Sequence, residues 1–436
     1  MGTPSNSPLE RGRADSTPSL SKGGLGRVRL FEALRVPSYR WVWGSVLLSS
    51  LGFMTFGMGQ GWLLLQITGS PLWVGVAPGI AGIVAVVLSP VGGVLADRLD
   101  RRNLLMAGQG TLALGVLTLG ALAATGNAHV WHVMVVAVLQ GAARATQPAR
   151  SSLTYDLVGR SGVQGAMAAQ FAATSSASAL GPLVGGLVLA RYGAGPLFLG
   201  IGGFGILAVA LLTRVKTPPR LAAPRTSVLH NLREGIGFSL RDKPIRGILS
   251  LILLTEICGF SVNSMLPVVV RDVLHADGRV LGLLTSLWGL GGLLATVGLS
   301  LRGDVRAKGW FFVASALTMG TALLLFSLSR SLPLSLVLLM IAGGAGALYD
   351  TMGNTLLQTL SPDAMRGRVS GVYSLLLSGG SWGSFGMGAV AELRGVAFAI
   401  GLGGCIVAAN AVRMVPQARM LNERSAKARE AQAAPP

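Results

Sequence analysis

Charge is what this sequence has least of. Only 12% of its 436 residues are Asp, Glu, Lys or Arg, about half the ~25% usual in a soluble domain. The shortage is local: long stretches carry no ionisable side chain, and short charged clusters separate them. Such a chain cannot surround itself with a polar surface, so it is expected to cross a bilayer many times. Cysteine is nearly absent. Cys258 and Cys405 both lie inside apolar stretches without metal-ligand spacing, and read as small buried apolar residues. The four histidines, His129, His132, His230 and His275, fall in loops or near span ends. His129 and His132 are three apart, but no third ligand is near, so an interfacial role is expected and no metal. There is no His-Glu-x-x-His, no phosphate-binding loop ending in Lys-Ser/Thr and no intramembrane Ser/His pair. A membrane enzyme, direct ATP drive and a cofactor are therefore not expected.

Acids are scarce too, 17 against 36 Lys and Arg, which leaves a formal net charge of +19. On a soluble protein that excess would point to nucleic acid. Here the cations sit between apolar stretches, where they orient helices in a membrane, and no nucleic-acid partner is implied.

What is abundant fits the same class. The 62 glycines allow membrane helices to approach closely. Apolar stretches fall at 41–66, 72–96, 103–125, 128–148, 164–190, 193–213, 246–271, 279–301, 307–328, 332–359, 368–391 and 395–415. Each can cross a hydrocarbon core of about 30 Å at ~1.5 Å per residue. The expected fold is an all-α membrane protein with 12 transmembrane helices in two pseudo-symmetric six-helix bundles. Residues 1–37 are expected to be a disordered cytoplasmic tail without a signal-peptide pattern, with an amphipathic piece at Val28–Leu34. Bundles follow at 38–213 and 246–415, joined by a basic cytoplasmic linker at 214–245 that includes a helical-looking Leu232–Leu240. Residues 416–436 are expected to be a second disordered tail. Of the Lys and Arg residues, all but Arg191, Arg271, Arg279, Arg330 and Arg394 fall on the side of the termini. The positive-inside rule then places both termini in the cytoplasm, with the chain multi-pass in the plasma or inner membrane. Trp41, Trp43, Trp73, Trp131 and Trp310 sit near span ends, as interfacial tryptophans do. A weak internal repeat links the halves: Gly181, Gly186 and Gly193 share their spacing with Gly383, Gly388 and Gly395.

Four segments carry more than hydropathy. The loop after the second span reads Gly92-Gly-Val-Leu-Ala-Asp97-Arg98-Leu-Asp-Arg101-Arg102, and the fifth span holds Gly181-Pro182-Leu-Val-Gly185-Gly186. Gln147-Pro148-Ala149-Arg150 follows the fourth span, and Pro362-Asp363-Ala-Met-Arg366-Gly367-Arg368 precedes the eleventh. From the residues alone, Gly92 and Gly93 let the second span approach a neighbour. Asp97 can pair with Arg150 or sit at the positive end of a helix, and Arg101 and Arg102 favour the anionic leaflet. The glycines and Pro182 permit a bend and close packing. Over residues 30–415 these segments resemble the major facilitator superfamily, and within it the branch of siderophore and macrolide exporters. The resemblance implies that Gly93, Asp97, Arg98, Arg101, Arg102 and Arg150 form a cytoplasmic latch holding the outward-open state. It also implies that Gly181, Pro182, Gly185 and Gly186 mark antiport and seal the inward path, and that the protein is a monomer. The counterpart in the second half, Gly298-Leu-Ser-Leu-Arg302-Gly303-Asp304, is degraded, which implies an asymmetric latch.

Ionisable residues at membrane depth are costly, so Glu256, Asp350 and Arg144 are the proton-coupling candidates. A carboxylate facing an aqueous cavity can bind and release a proton as access alternates. Proton-coupled relatives carry an arginine upstream of Gln-Gly in the fourth span. Here Gln140-Gly141 is present and Ala137 stands at that place, which leaves Arg144 as a substitute. Substrate-cavity candidates are Gln60, Gln140, Gln170, Phe260, Asn263, Trp288, Tyr349, Asn354 and Trp382. Mostly apolar walls with a few polar groups suit an amphiphilic small molecule, not a sugar or a phosphate. The expected function is proton-driven efflux of such molecules by alternating access. Two readings share the fold. Uptake or lipid flipping is favoured if Glu256 and Asp350 play no part in coupling, and a non-transporting receptor is favoured by a closed cavity.

Overall fold

The computed structural model describes residues 33–216, 228–303, 305 and 307–433. The stretch Val28–Leu34 lies largely outside the described residues. Among the described residues every regular element is a helix. Inside lipid no water can satisfy the backbone, and the helix satisfies each N–H and C=O within its own segment.

The first half comprises α1 (Pro37–Thr68), α2 (Pro71–Arg98), α3 (Arg101–Ala124), α4 (Val130–Arg144), α5 (Gln147–Tyr192) and α6 (Ala194–Thr213). The second holds α7 (Val228–Arg241), α8 (Lys243–Thr255), a π turn (Glu256–Phe260), α9 (Val262–Asp272), α10 (Gly278–Arg302), α11 (Lys308–Leu328), α12 (Leu332–Leu360), α13 (Asp363–Leu376), α14 (Gly379–Arg394) and α15 (Val396–Ala433). Prolines open α1, α2, α5, α8 and α12 in the first turn, where no N–H is needed. Asp100 caps α3 by accepting from Asn103 N, and Asp242 caps α8 by accepting from Ile245 N.

Among the described residues ten helical segments are long and apolar enough to span a membrane. The other two expected spans appear in altered form. The stretch 128–148 yields α4, whose 15 residues reach only about 22 Å. The stretch 368–391 is broken at Leu377–Ser378 between α13 and α14. At the start of α4, His129 N donates to His132 Nδ1 at 3.0 Å, so this pair builds a helix cap. Among the described residues no three metal-ligating side chains cluster. Cys258 is half-buried, and Cys405 is exposed rather than buried, on the outer face of α15.

The chain after Val415 corrects the expectation of a disordered tail: α15 runs on to Ala433. Met414, Ala418 and Leu421 are fully buried at helical spacing. Asn422 accepts from Gly309 N at the start of α11 (2.7 Å), and Arg424 lies 3.5 Å from Asp242. The linker helix also has a place. In α7, Leu232 and Phe238 pack on the second-half core, and Glu234 pairs with Arg368 at 2.8 Å.

Two ends of the molecule differ. One carries the α1–α2, α5–α6, α9–α10 and α14–α15 turns and is called here the far end. The other, with Arg98–Arg102, Arg214 and Arg366–Arg368, is the basic end. At the far end one apolar core runs through both halves, from Phe56, Leu64 and Phe198 to Val262, Leu281 and Met387. At the basic end the core divides. One cluster lies within the first half (Tyr39, Leu105, Leu153) and a second within the other half (Ile248, Phe312, Leu421).

Candidate functional site

The halves meet through glycine. α5 crosses α10, and α2 crosses α14. A Cβ on Gly186 would lie 2.5 Å from Gly278 O and 2.7 Å from the Gly282 Cα, and one on Gly282 would lie 2.5 Å from Pro182 O. Across the other crossing, a Cβ on Gly388 would lie 2.9 Å from Pro71 O and 3.1 Å from the Gly75 Cα. Only glycine permits such backbone contact, which supplies van der Waals packing where lipid removes the hydrophobic drive. The two crossings match the internal repeat: Gly186 and Gly388 hold equivalent places, and Gly193 and Gly395 end their helices with φ of 82° and 87°. Gly282 and Gly289 have the same seven-residue spacing as Gly75 and Gly82, and Gly289 and Gly82 approach Ser178 and Ser381.

Above the crossings, two charged side chains of the second half hold the α1–α2 turn. Glu392 accepts from Ser70 Oγ at 2.7 Å and from Leu72 N at 3.2 Å, at the positive end of α2. Arg271 donates to Gly69 O at 3.0 Å and Leu65 O at 3.4 Å, at the negative end of α1, and also pairs with Asp272. Each charge is complementary to the helix terminus it meets.

Just inside the crossings lies a cavity of about 450 Å³ between the halves. Its walls include Gln60, Gln140, Arg144 and Pro182 from the first half and Glu256, Phe260, Asn263, Trp288 and Ser381 from the second. Gln60 Nε2 is buried there without a hydrogen-bond partner. Phe260 and Trp288 meet edge to face at 6.0 Å. Both broken helices converge on this cavity. The π turn begins at Glu256, and the α13–α14 break brings Gly380 beside it, where a Cβ would lie 3.4 Å from Glu256 Oε2. Arg144 donates to Ser381 Oγ at 3.3 Å, with its guanidinium 4.9 Å from the Phe53 ring centroid. π turns and broken helices recur at functional sites because they free backbone groups and redirect side chains. Asp350 on α12 lies outside the cavity wall but close enough for its charge to act on Glu256, and its Oδ1 is buried without a hydrogen-bond partner.

Four expected cavity residues sit elsewhere. Gln170 is engaged with Thr154 at 2.8 Å. Tyr349 is fully buried and stacked on Phe312 at 4.9 Å, and Asn354 accepts from Gln358 at 3.0 Å. Trp382 is 45% exposed on the outside of α14. Helical register places Ser381 in the cavity wall and its neighbour Trp382 outside it, while Gln170, Tyr349 and Asn354 meet partners away from the cavity.

In the expected latch, Gly92 does permit close approach, since a Cβ there would meet the Ala145 backbone, whereas Gly93 has nothing within 4 Å. Arg101 pairs with Asp156, and Arg102 donates to Thr213 O at 2.7 Å, both within the first half. Arg98 is exposed, and the side chain of Asp97 lies outside the described residues. Arg150 lines a second cavity, inside the first half. In the fifth-span motif, a Cβ on Gly181 would lie 2.9 Å from Thr55 Oγ1, and Gly185 also faces Thr55. Gly186 alone of the three reaches the other half.

The family described as Transmembrane secretion effector, of the major facilitator type, matches residues 29–435. Among curated proteins, the chain is 27% identical to the multidrug efflux pump Tap of Mycolicibacterium fortuitum, over 81% of this chain and 90% of that protein. It is 26% identical to the enterobactin exporter EntS of Escherichia coli O1:K1, over 78% and 81%. Solved structures share the fold at low identity. They include the peptide-transporter-family protein PepTSo, with a TM-score of 0.68 at 15% identity, covering 89% of this chain and 99% of that one. A bacterial homologue of the lysosomal transporter Spinster, in an inward-facing and occupied conformation, gives 0.65 at 14% identity, over 93% and 98%.

Proposed function

Because the chain belongs to the Transmembrane secretion effector family of the major facilitator superfamily, and is thus a multi-pass membrane transporter and not an enzyme, we propose that it exports amphiphilic small molecules in exchange for protons. The relatives named as a multidrug efflux pump and an enterobactin exporter support efflux of organic compounds. The observation that carries the reading is the cavity between the halves. It is walled by apolar and aromatic groups, offers Glu256 from one half and Arg144 from the other, and is sealed at the far end by glycine crossings. In this reading α4 and the broken α13–α14 pair complete twelve spans, with bundles at 38–213 and 246–415 acting as a monomer. The basic end faces the cytoplasm, since Lys and Arg are retained there, and both termini lie on that side. With the far end sealed and the basic-end cores separate, the structure corresponds to the inward-facing state. Substrate enters from the cytoplasm, the halves rock, and Glu256 gives up or takes up a proton as access alternates, with Asp350 as the neighbouring charge.

The test uses inside-out vesicles with an acidified lumen, a panel of amphiphiles and a pH-sensitive dye. Compound-dependent loss of the gradient that disappears in Glu256→Gln vesicles is expected. Undiminished compound-dependent loss of the gradient in that variant would contradict proton exchange through Glu256.

A further inference from the structure

The second cavity, about 300 Å³, lies inside the first half among α1, α3, α4, α5 and α6. That volume stands at the small end of organic-ligand sites. Its apolar wall includes Phe53, Phe56 and Val116, and Arg144, Arg150 and Gln109 supply the polar groups on which the argument turns. Among the described residues no Asp or Glu lines it. Arg144 meets the Ser381 hydroxyl and the face of Phe53, both neutral. Arg150 has no ion-pair partner among the described side chains. Gln109 uses its Oε1 to accept from Ser49, which leaves its amide hydrogens for a further acceptor. Two cations and an amide donor facing an apolar chamber make a poor fit for an organic cation and a good one for an anion, which guanidinium groups bind through charge-assisted hydrogen bonds.

We propose that this cavity binds an amphiphilic organic anion, its carboxylate, sulfonate or phenolate held by Arg144 and Arg150 and its apolar body against Phe53 and Phe56. Arg144 also lines the central cavity, so the anion sits beside the path assigned to cargo. The assignment of the anion as cargo rests on the export reading, whereas binding itself does not. An anionic phospholipid offers the same chemistry from the bilayer.

The test compares two probes with one ring system, anilinonaphthalene sulfonate and its uncharged counterpart phenylnaphthylamine, binding to the purified full chain in phosphatidylcholine nanodiscs. Sulfonate affinity is expected to fall about tenfold or more in Arg150→Gln and in Arg144→Gln, the loss of about one charge-assisted contact. Phenylnaphthylamine affinity is expected to stay within about twofold over the same series. Arg150→Lys, which keeps the charge, should restore much of the sulfonate binding. Equal sulfonate binding in wild type and both glutamine variants overturns the site, as does a parallel loss of both probes. Arginine-dependent binding that phosphatidylglycerol nanodiscs suppress assigns the anion to lipid. Binding that they leave intact and that soluble naphthoate displaces assigns it to cargo. Vesicle pumping of neutral or cationic amphiphiles without arginine-dependent sulfonate binding would overturn the anion site alone. Sulfonate binding without pumping of any compound would overturn export alone.

Discussion

At the far end the two halves share one apolar core, while at the basic end each half keeps its own. The chemistry of the two ends differs accordingly. The far end is joined by bare backbone contact at Gly186–Gly282 and Gly75–Gly388, and by single charges on helix termini at Glu392 and Arg271. The glycine contacts themselves order no long side chain, and the shared apolar core around them completes the far-end joint. At the basic end the described ion pairs stay within one half, as in Arg101–Asp156 and Glu234–Arg368. The halves are thus joined to each other at the far end, while at the basic end each half is tied to itself.

The most severe way to break the comparison is to add bulk to a crossing. Gly186→Leu places a branched side chain where even a Cβ meets Gly278 O and Gly282. Overpacking of this kind costs about 1–3 kcal/mol, so closure of the far end should be disfavoured and efflux should fall by about five- to 150-fold. Drug-efflux rates, normalised to membrane-inserted protein, check this. Wild-type efflux would remove the crossing from the cycle.

Next comes the site between the ends. Glu256 lines the cavity and Asp350 lies behind it. Asp350→Asn should therefore slow proton-coupled exchange by about tenfold or less, where Glu256→Gln abolishes it. The pH-dye assay ranks the two, and the reverse order would exchange their roles.

The clamp on the α1–α2 turn should give a smaller effect. Glu392→Gln and Arg271→Gln each weaken contacts at a helix terminus worth about 0.3–1 kcal/mol, enough to shift the balance of states by about two- to fivefold. A thiol placed at the buried Val74→Cys, in a Cys258→Ser and Cys405→Ser background, should react faster with a membrane-impermeant maleimide added from the far side. Unchanged reactivity would make the clamp ornamental.

The smallest effect is expected at the basic end. Arg101–Asp156 is a partly exposed pair inside one half, worth about 0–1 kcal/mol. Asp156→Asn should change efflux less than about fivefold. A loss as large as that of Gly186→Leu would mean the basic end is the tighter joint.

Much of this was legible from the residues. Hydropathy located the ten long apolar helices, because a helix in lipid must be apolar over its whole length. The glycine repeat pointed to Gly186 and Gly388, because backbone contact admits no other residue. Glu256 stood out as an acid in an apolar run and does face the cavity. Register was not legible where a helix is apolar on all sides, so Tyr349, Asn354, Gln170 and Trp382 were assigned inward on identity alone. The breaks at Glu256–Phe260 and Leu377–Ser378 carry no proline, and their local signals, Gly259 and the run Ser378-Gly379-Gly380, were passed over. Glu392 and Arg271 reach helix ends about 320 and 200 residues away in sequence, a proximity only the fold creates. The seven-residue spacing shared by Gly75–Gly82 and Gly282–Gly289 was another overlooked signal that sequence could have supplied. The helical continuation past Val415 was hidden by polar residues that face outward, while Ala418 and Leu421 face in.

Alternating access requires the two ends to open in opposition. Spin-label pairs test it most directly: Asn127→Cys with Arg330→Cys across the far end, and Lys216→Cys with Arg302→Cys across the basic end, in the background free of Cys258 and Cys405. Distances measured by pulsed electron resonance in nanodiscs, across a pH series and with an exported compound, should fall into two populations. One has the shorter far-end and longer basic-end distance and the other the reverse, with the two pairs shifting in opposite senses. Distances that stay fixed, or that lengthen at both ends together, would contradict alternating access about the glycine crossings.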